Sequence, residues 1–131
     1  DYTHPLIQEA LPIKYKASWK DLDFSKNLKG WQEIPPHGME VVSVLRGFLP
    51  QAKILPLKII GVNPSMTEEG LKEGINSLVA ALNLAIKEKV NVINISLGHP
   101  ERSIEEEEIL KYARQKGIIV VTSAGNDNKN I

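Results

Sequence analysis

The sequence predicts an α/β fold with a mostly parallel sheet, and three observations predict it. Apolar, β-branched runs alternate with helical patterns from His37 onward. Those helical patterns are long enough to be crossovers, and helical connections between strands imply parallel pairing. Two strand runs, "NVINISLG" and "IIVVTSAGN", stop abruptly in Ser, Gly or Asn. In a parallel α/β sheet that is the carboxyl rim, where ligands bind.

Residues 1–36 read mainly as loop and short extended pieces, with Pro35-Pro36 setting an extended entry to the first long helix. "HGMEVVSVLRGFL" (37–49) has apolar residues at 39, 41, 42, 44, 45 and 48, the pattern of a mostly apolar helix that expects burial. "AKILPLKII" (52–60) reads as a strand, although Pro56 removes a ladder donor. "TEEGLKEGINSLVAALNLAIKEK" lines Leu71, Ile75, Leu78, Val79, Leu82 and Ile86 on one helical face. Acidic residues open that helix and Lys87 and Lys89 close it, as the helix dipole prefers. "VNVINISL" is the next strand. "SIEEEEILKYARQKG" is a helix with a capping box at Ser103 and Glu106 and a C-terminal cap at Gly117. "IIVVTSA" is the last strand, and its uniformly apolar character suits cover on both faces. No internal repeat, low-complexity tract or linker divides residues 1–131, so they read as one domain.

Composition excludes several function classes. Sixteen basic and sixteen acidic residues cancel, which removes the electrostatic footprint of nucleic-acid or anionic-membrane binding. There is no cysteine, hence no disulfide and no thiolate zinc site. No apolar stretch reaches the ~18 residues of a membrane span. No signal peptide is visible, and the chain starts at Asp1 rather than Met.

The candidate chemistry is sparse. A nucleotide-binding domain is the general alternative for this architecture, yet neither GxGxxG nor GxxxxGK[ST] occurs. His4, His37 and His99 are dispersed and form no metal-ligand pair at helical spacing, so no metal site is expected. "IEEEEI" (104–109) is a solvated, dipole-favoured helix face. His37 is either a surface or capping residue or a general base. Asn126 is either a turn former or a rigid amide that donates to developing negative charge.

Together these stretches resemble the middle of a subtilisin-like serine protease. "NVINISLG" is similar to the family's Val-Ile-Asn-x-Ser-Leu-Gly strand, and "GIIVVTSAGN" to its Gly-x-x-Val-Val-x-x-Ala-Gly-Asn strand. "HGMEVVSVL" resembles the catalytic-histidine helix, "LPQAKILPLKIIG" the family's Ala-Pro-x-Ala-x-Leu-x-x-Val-Lys-Val strand, and "DYTHPLI" the His-Pro segment shortly after the catalytic aspartate. The matches follow the family's order and cover nearly the whole chain. The resemblance implies a three-layer subtilisin-like α/β domain. It makes His37 the general base and Asn126 the oxyanion-hole side chain. Ser96, Leu97 and Gly98 become the edge on which a peptide pairs as an added strand, and Ala124 and Gly125 line the pocket beside the scissile bond. It also implies a peptide or protein substrate, no cofactor apart from a family calcium possible elsewhere, and an extracellular or cell-envelope location.

The departures set further expectations. The family's order is Asp, His, Ser. The His-Pro match places the aspartate before Asp1, and the nucleophile is expected well beyond Ile131. Residues 1–131 are therefore expected to be a partial, inactive piece of the domain, ordered with the remaining segments or a second copy. Thr-His-Val-Ala-Gly of the histidine helix becomes Met39-Glu40-Val41-Val42-Ser43, which keeps a peptide- or partner-binding pseudoprotease open as the alternative. The family's tight calcium site uses an aspartate where this chain has Leu6 and a long loop where only a few residues separate Leu45 from Pro50, so that site is expected to be absent.

Overall fold

The computed structural model describes residues 4–15, 22, 24, 37–59, 68–99 and 102–126. They belong to two compact units, Asp1–Ser77 and Leu78–Ile131. The Pro35-Pro36 entry and Ile60 lie outside the described residues.

In the first unit a short helix, α1, spans Pro5–Ala10, where sequence reading expected loop. Two local signals explain it. His4 is the N-cap and accepts the Leu6 N–H on its ring nitrogen Nδ1 at 3.3 Å. Pro5 supplies a pre-set φ at a position where no amide donor is needed. Helix α2 spans His37–Phe48 and packs against α1. The Arg46 guanidinium reaches the Glu9 carboxylate at 3.4 Å and donates to the Pro50 carbonyl. Ile7, Ala10, Leu11, Val42 and Ile59 are buried. Burial of α2 is narrower than its composition predicts: Val44 and Phe48 remain 60% and 83% exposed. A helix apolar around most of its circumference needs cover on more than one side.

Residues 52–59 do not form the expected strand. Ile54 N–H donates to the Ala10 carbonyl, and Lys58 alone makes a bridge. Lys58 N–H donates to Leu22 O (3.0 Å) and Phe24 N–H donates to Lys58 O (2.8 Å), the straddling pattern of parallel pairing. Pro56, without an N–H, sits two residues before this bridge and limits any longer ladder. The Ser77 hydroxyl donates to the Phe24 carbonyl at 3.1 Å.

Helix α3 spans Glu68–Lys87, and the boundary between the units falls within it. In the second unit its buried stripe is Leu78, Ala81, Leu82 and Ala85, at i, i+3, i+4 and i+7. This is rotated from the expected face, with alanines inward and Val79 and Ile86 half-buried. The helix ends in a Schellman motif: Lys89 N–H bonds Ile86 O and Val90 N–H bonds Ala85 O. The left-handed position, which glycine usually fills, is held here by Lys89 at φ 54°. Lys89→Gly is expected to stabilise the protein by about 0.5–1 kcal/mol, read from the urea midpoint, because it removes the Cβ conflict of a left-handed residue. An unchanged or lowered midpoint would count against strain at this turn.

Strand β1 spans Val92–Ile95, helix α4 Ile104–Gln115 and strand β2 Ile119–Thr122. β1 and β2 pair in parallel, Val92 opposite Ile119 and Ile95 opposite Thr122. Both ends of α4 follow the sequence signals. Ser103 caps the start. Gly117, at φ 80°, makes a second Schellman closure with Ile118 N–H on Ala113 O. α4 packs along β2. Ile93, Ile95, Ala113 and Ile118 are buried. The opposite face of the pair carries Val92, Ile119 and Val121 at 51%, 61% and 47% exposure. Cover on both faces of β2, expected from its composition, is thus present on one.

Candidate functional site

The register of β1 and β2 decides where their carboxyl ends lie. Ile95 is opposite Thr122, so the next residues, Ser96-Leu97-Gly98 and Ser123-Ala124-Gly125, leave the sheet side by side. The hydrogen bonds continue past the strands. Ser123 N–H donates to the Ile95 carbonyl at 3.2 Å, and the Ser123 hydroxyl donates to the Leu97 carbonyl at 3.3 Å. The Asn94 amide donates to the Ser96 hydroxyl at 2.9 Å. Ser96 is half-buried, whereas Leu97, Gly98 and all of Ser123–Asn126 are exposed. Gly125 has φ 81°, a left-handed conformation in which any side chain is strained, so glycine just before Asn126 is a backbone requirement. Two short walls with open outer surfaces therefore meet at one rim, and Asn126 follows the turn of the second.

His37 is the first residue of α2, in the first unit. Its side chain is 54% exposed, and Nδ1 lies 3.9 Å from the Glu40 carboxylate one helical turn on. That distance exceeds a hydrogen bond.

The acidic run of α4 is more engaged than a solvated face. The Ser103 hydroxyl accepts the Glu106 N–H (3.2 Å) and donates to Glu105 Oε2 (3.1 Å). The Glu106 carboxylate does not complete the expected capping box; it meets His99 Nε2 at 2.5 Å. Arg102 makes a two-point contact with Glu107 at 2.5 and 2.8 Å. These hydrogen bonds hold the Glu107 carboxyl below its ordinary value and the Arg102 guanidinium above its own. Glu107 is expected to titrate below an unstructured glutamate by carboxyl-carbon NMR and to return to the ordinary range in Arg102→Gln. Its native value is the lower one. The pair's stabilisation is therefore present above the ordinary carboxylate range and is lost as pH falls through the lowered native value. Both groups are exposed, so the stabilisation is small.

A family model of peptidase S8, the subtilase family, matches residues 1–131. The chain belongs to the subtilase family. This subtilase is 36% identical over 84 residues to the major intracellular serine protease of Bacillus subtilis (strain 168), covering 63% of the chain and 24% of the relative. It is 25% identical over 147 residues to the minor extracellular protease Vpr of the same organism, covering 99% and 17%. It is 26% identical over 140 residues to the thermophilic serine proteinase of Bacillus sp. (strain AK1), covering 99% and 31%. The chain thus spans less than a third of the length of these relatives.

Two features of the subtilase rim were not singled out from sequence. Ser123, read only as part of a strand end, ties the second wall to the first. His99 directly follows the first wall and is joined to Glu106, whose spacing from Ser103 pointed instead to the cap. The signal for both is adjacency to a wall. Among the described residues no group of three His, Cys, Asp or Glu side chains could hold a metal ion. Among them, too, no helix is long and apolar enough to cross a membrane.

Proposed function

We propose that the intact protein is a subtilisin-like serine endopeptidase that hydrolyses peptide bonds through an acyl-enzyme. The observation that supports this reading is that Ser96–Gly98 and Ser123–Gly125 leave the parallel β1–β2 pair side by side, in a chain of the subtilase family. In this reading an extended substrate adds to the Ser96–Gly98 edge as a strand. Ala124 and Gly125 leave room for the side chain before the scissile bond. Asn126 donates its amide to the oxyanion, and His37 takes the serine proton and returns it to the leaving amine. The triad's aspartate and serine belong to segments beyond residues 1–131, within a complete three-layer domain. The test is a fluorophosphonate probe on the full-length protein. Labelling of a serine beyond Ile131 that vanishes in His37→Ala supports the reading; no labelling of correctly folded full-length protein overturns it.

A second reading, a peptide-binding pseudoprotease, draws on Glu40. In the triad the aspartate acts on Nδ1 of the histidine. Here a carboxylate of the same helix already stands 3.9 Å from that nitrogen. Peptide binding without probe labelling is the outcome that selects this reading.

Residues 1–131 in isolation are proposed to be inactive and to bind either the remaining segments or a second copy. The open Val92–Ile119–Val121 face motivates this. Sedimentation of the isolated chain is expected to show association, and a monomer with a sharp two-state melt at low concentration would contradict it. Substrates are peptides or proteins, with no nucleic acid or membrane involved. Relatives carry both "intracellular" and "extracellular" in their names. An extracellular or cell-envelope location remains the proposal from the sequence resemblance.

A further inference from the structure

We propose that His99 and Glu106 form a latch that positions the Ser96–Gly98 edge by fastening its far end to the first turn of α4. The inference rests on the peptide-cleft reading of that edge. The ladder ends at Ile95; beyond it the Asn94 amide donates to the Ser96 hydroxyl and the Ser123 hydroxyl to the Leu97 carbonyl. Gly98 has no side chain, and an added Cβ would meet nothing within 4 Å. Among the described residues none packs where a Gly98 Cβ would lie, and the next residue is the one bonded to α4.

The bond itself is well placed to hold. His99 Nε2 and Glu106 Oε2 are 2.5 Å apart, and the two side chains are only 19% and 17% exposed. The adjacent Arg102–Glu107 pair, at 79% and 53%, sits largely in water. A charge-assisted hydrogen bond gains strength where water is excluded, whereas an exposed ion pair contributes little. Glu106 occupies the position from which a glutamate normally reaches back to the N-cap amide, and its carboxylate goes to His99 instead. Among the described residues Nδ1 is buried without a hydrogen-bond partner, and the imidazole is held there through Nε2. Gly98, Arg102, Ser103, Glu107 and Leu110 line a shallow cavity of about 270 Å³ together with the pair.

The test uses full-length protein, wild type against Glu106→Gln, His99→Ala and the double variant. The first readout is amide hydrogen exchange. Exchange at residues 96–99 is expected to rise about tenfold in each single variant, the factor a charge-assisted hydrogen bond carries, with no further rise in the double variant. Protection of Ala113 to Lys116 is expected to stay unchanged. The second readout is kinetic: KM for an extended peptide anilide rises about tenfold, kcat holds, and a single-residue ester is unaffected. Glu106→Gln preserves shape and decides the matter should His99→Ala loosen α4. Unchanged exchange at 96–99 in folded Glu106→Gln overturns the latch, as does an equal fall of kcat on both substrates. A wild-type protein that hydrolyses neither substrate removes the protease reading, while the exchange result still judges the latch.

Discussion

His37→Ala in the full-length protein is expected to lower kcat by about 10⁶-fold, a magnitude carried over from a subtilisin, a member of this same family. The physical reason is the mismatch between a serine hydroxyl and a useful nucleophile at neutral pH. Without a base within reach, the alkoxide must be generated against water alone, and the leaving amine departs without its proton. KM is expected to change little, because the proposed substrate contacts belong to residues 96–98 and 124–125. Glu40 supplies the control. Its carboxylate is 3.9 Å from His37 Nδ1 and both side chains are exposed. Glu40→Gln is therefore expected to alter kcat by less than about threefold, in keeping with the weak coupling of exposed pairs. Steady-state hydrolysis of a chromogenic peptide checks both variants. A loss below tenfold in His37→Ala removes it from the role of base, and a large loss in Glu40→Gln would transfer the orienting role to that residue.

Asn126→Leu is expected to reduce kcat by roughly 10²–10³-fold with KM near its original value; this range too comes from a subtilisin oxyanion-hole asparagine. Leucine keeps much of the side-chain volume and removes the donor. The hydrogen bond at issue strengthens as the carbonyl oxygen gains charge, so its removal raises the barrier more than it weakens ground-state binding. The expectation depends on the turn at Gly125, whose φ of 81° delivers Asn126 after the rim. Transition-state and substrate analogues separate the outcomes. Selective loss of affinity for a charged tetrahedral mimic supports the donor role, and equal loss for both would assign Asn126 to the turn alone.

The parts of the fold that were legible in sequence are those governed by neighbouring residues. Ser103 and Gly117 bracket α4 because a cap needs only one side chain or one backbone conformation. The common rim of the last two strands followed from a helical crossover between them and from their matching small-residue endings. The parts that were not legible depend on what lies across space. Residues 52–59 have strand composition, yet among them only Lys58 bridges, because a ladder needs a row of donors that Pro56 interrupts. The apolar character of α2 and β2 says that cover is wanted, not which side receives it, and Phe48 and Ile119 stay exposed. Lys89 carries a left-handed backbone without the glycine that announces one. Glu106 shows the same limit within the candidate site. Its spacing from Ser103 fits a cap, and its carboxylate is taken by a histidine seven residues earlier in the chain.

The bond from the Ser123 hydroxyl to the Leu97 carbonyl bears on how this rim can change over time. The bond crosses from one strand ending to the next, so in the proposed reading Ser123→Ala leaves both turns intact and removes the one side-chain tie between them seen among the described residues. A single exposed hydrogen bond is worth about 1 kcal/mol. In that reading the two turns are coupled weakly enough for the residues that follow Gly98 and Gly125 to change independently.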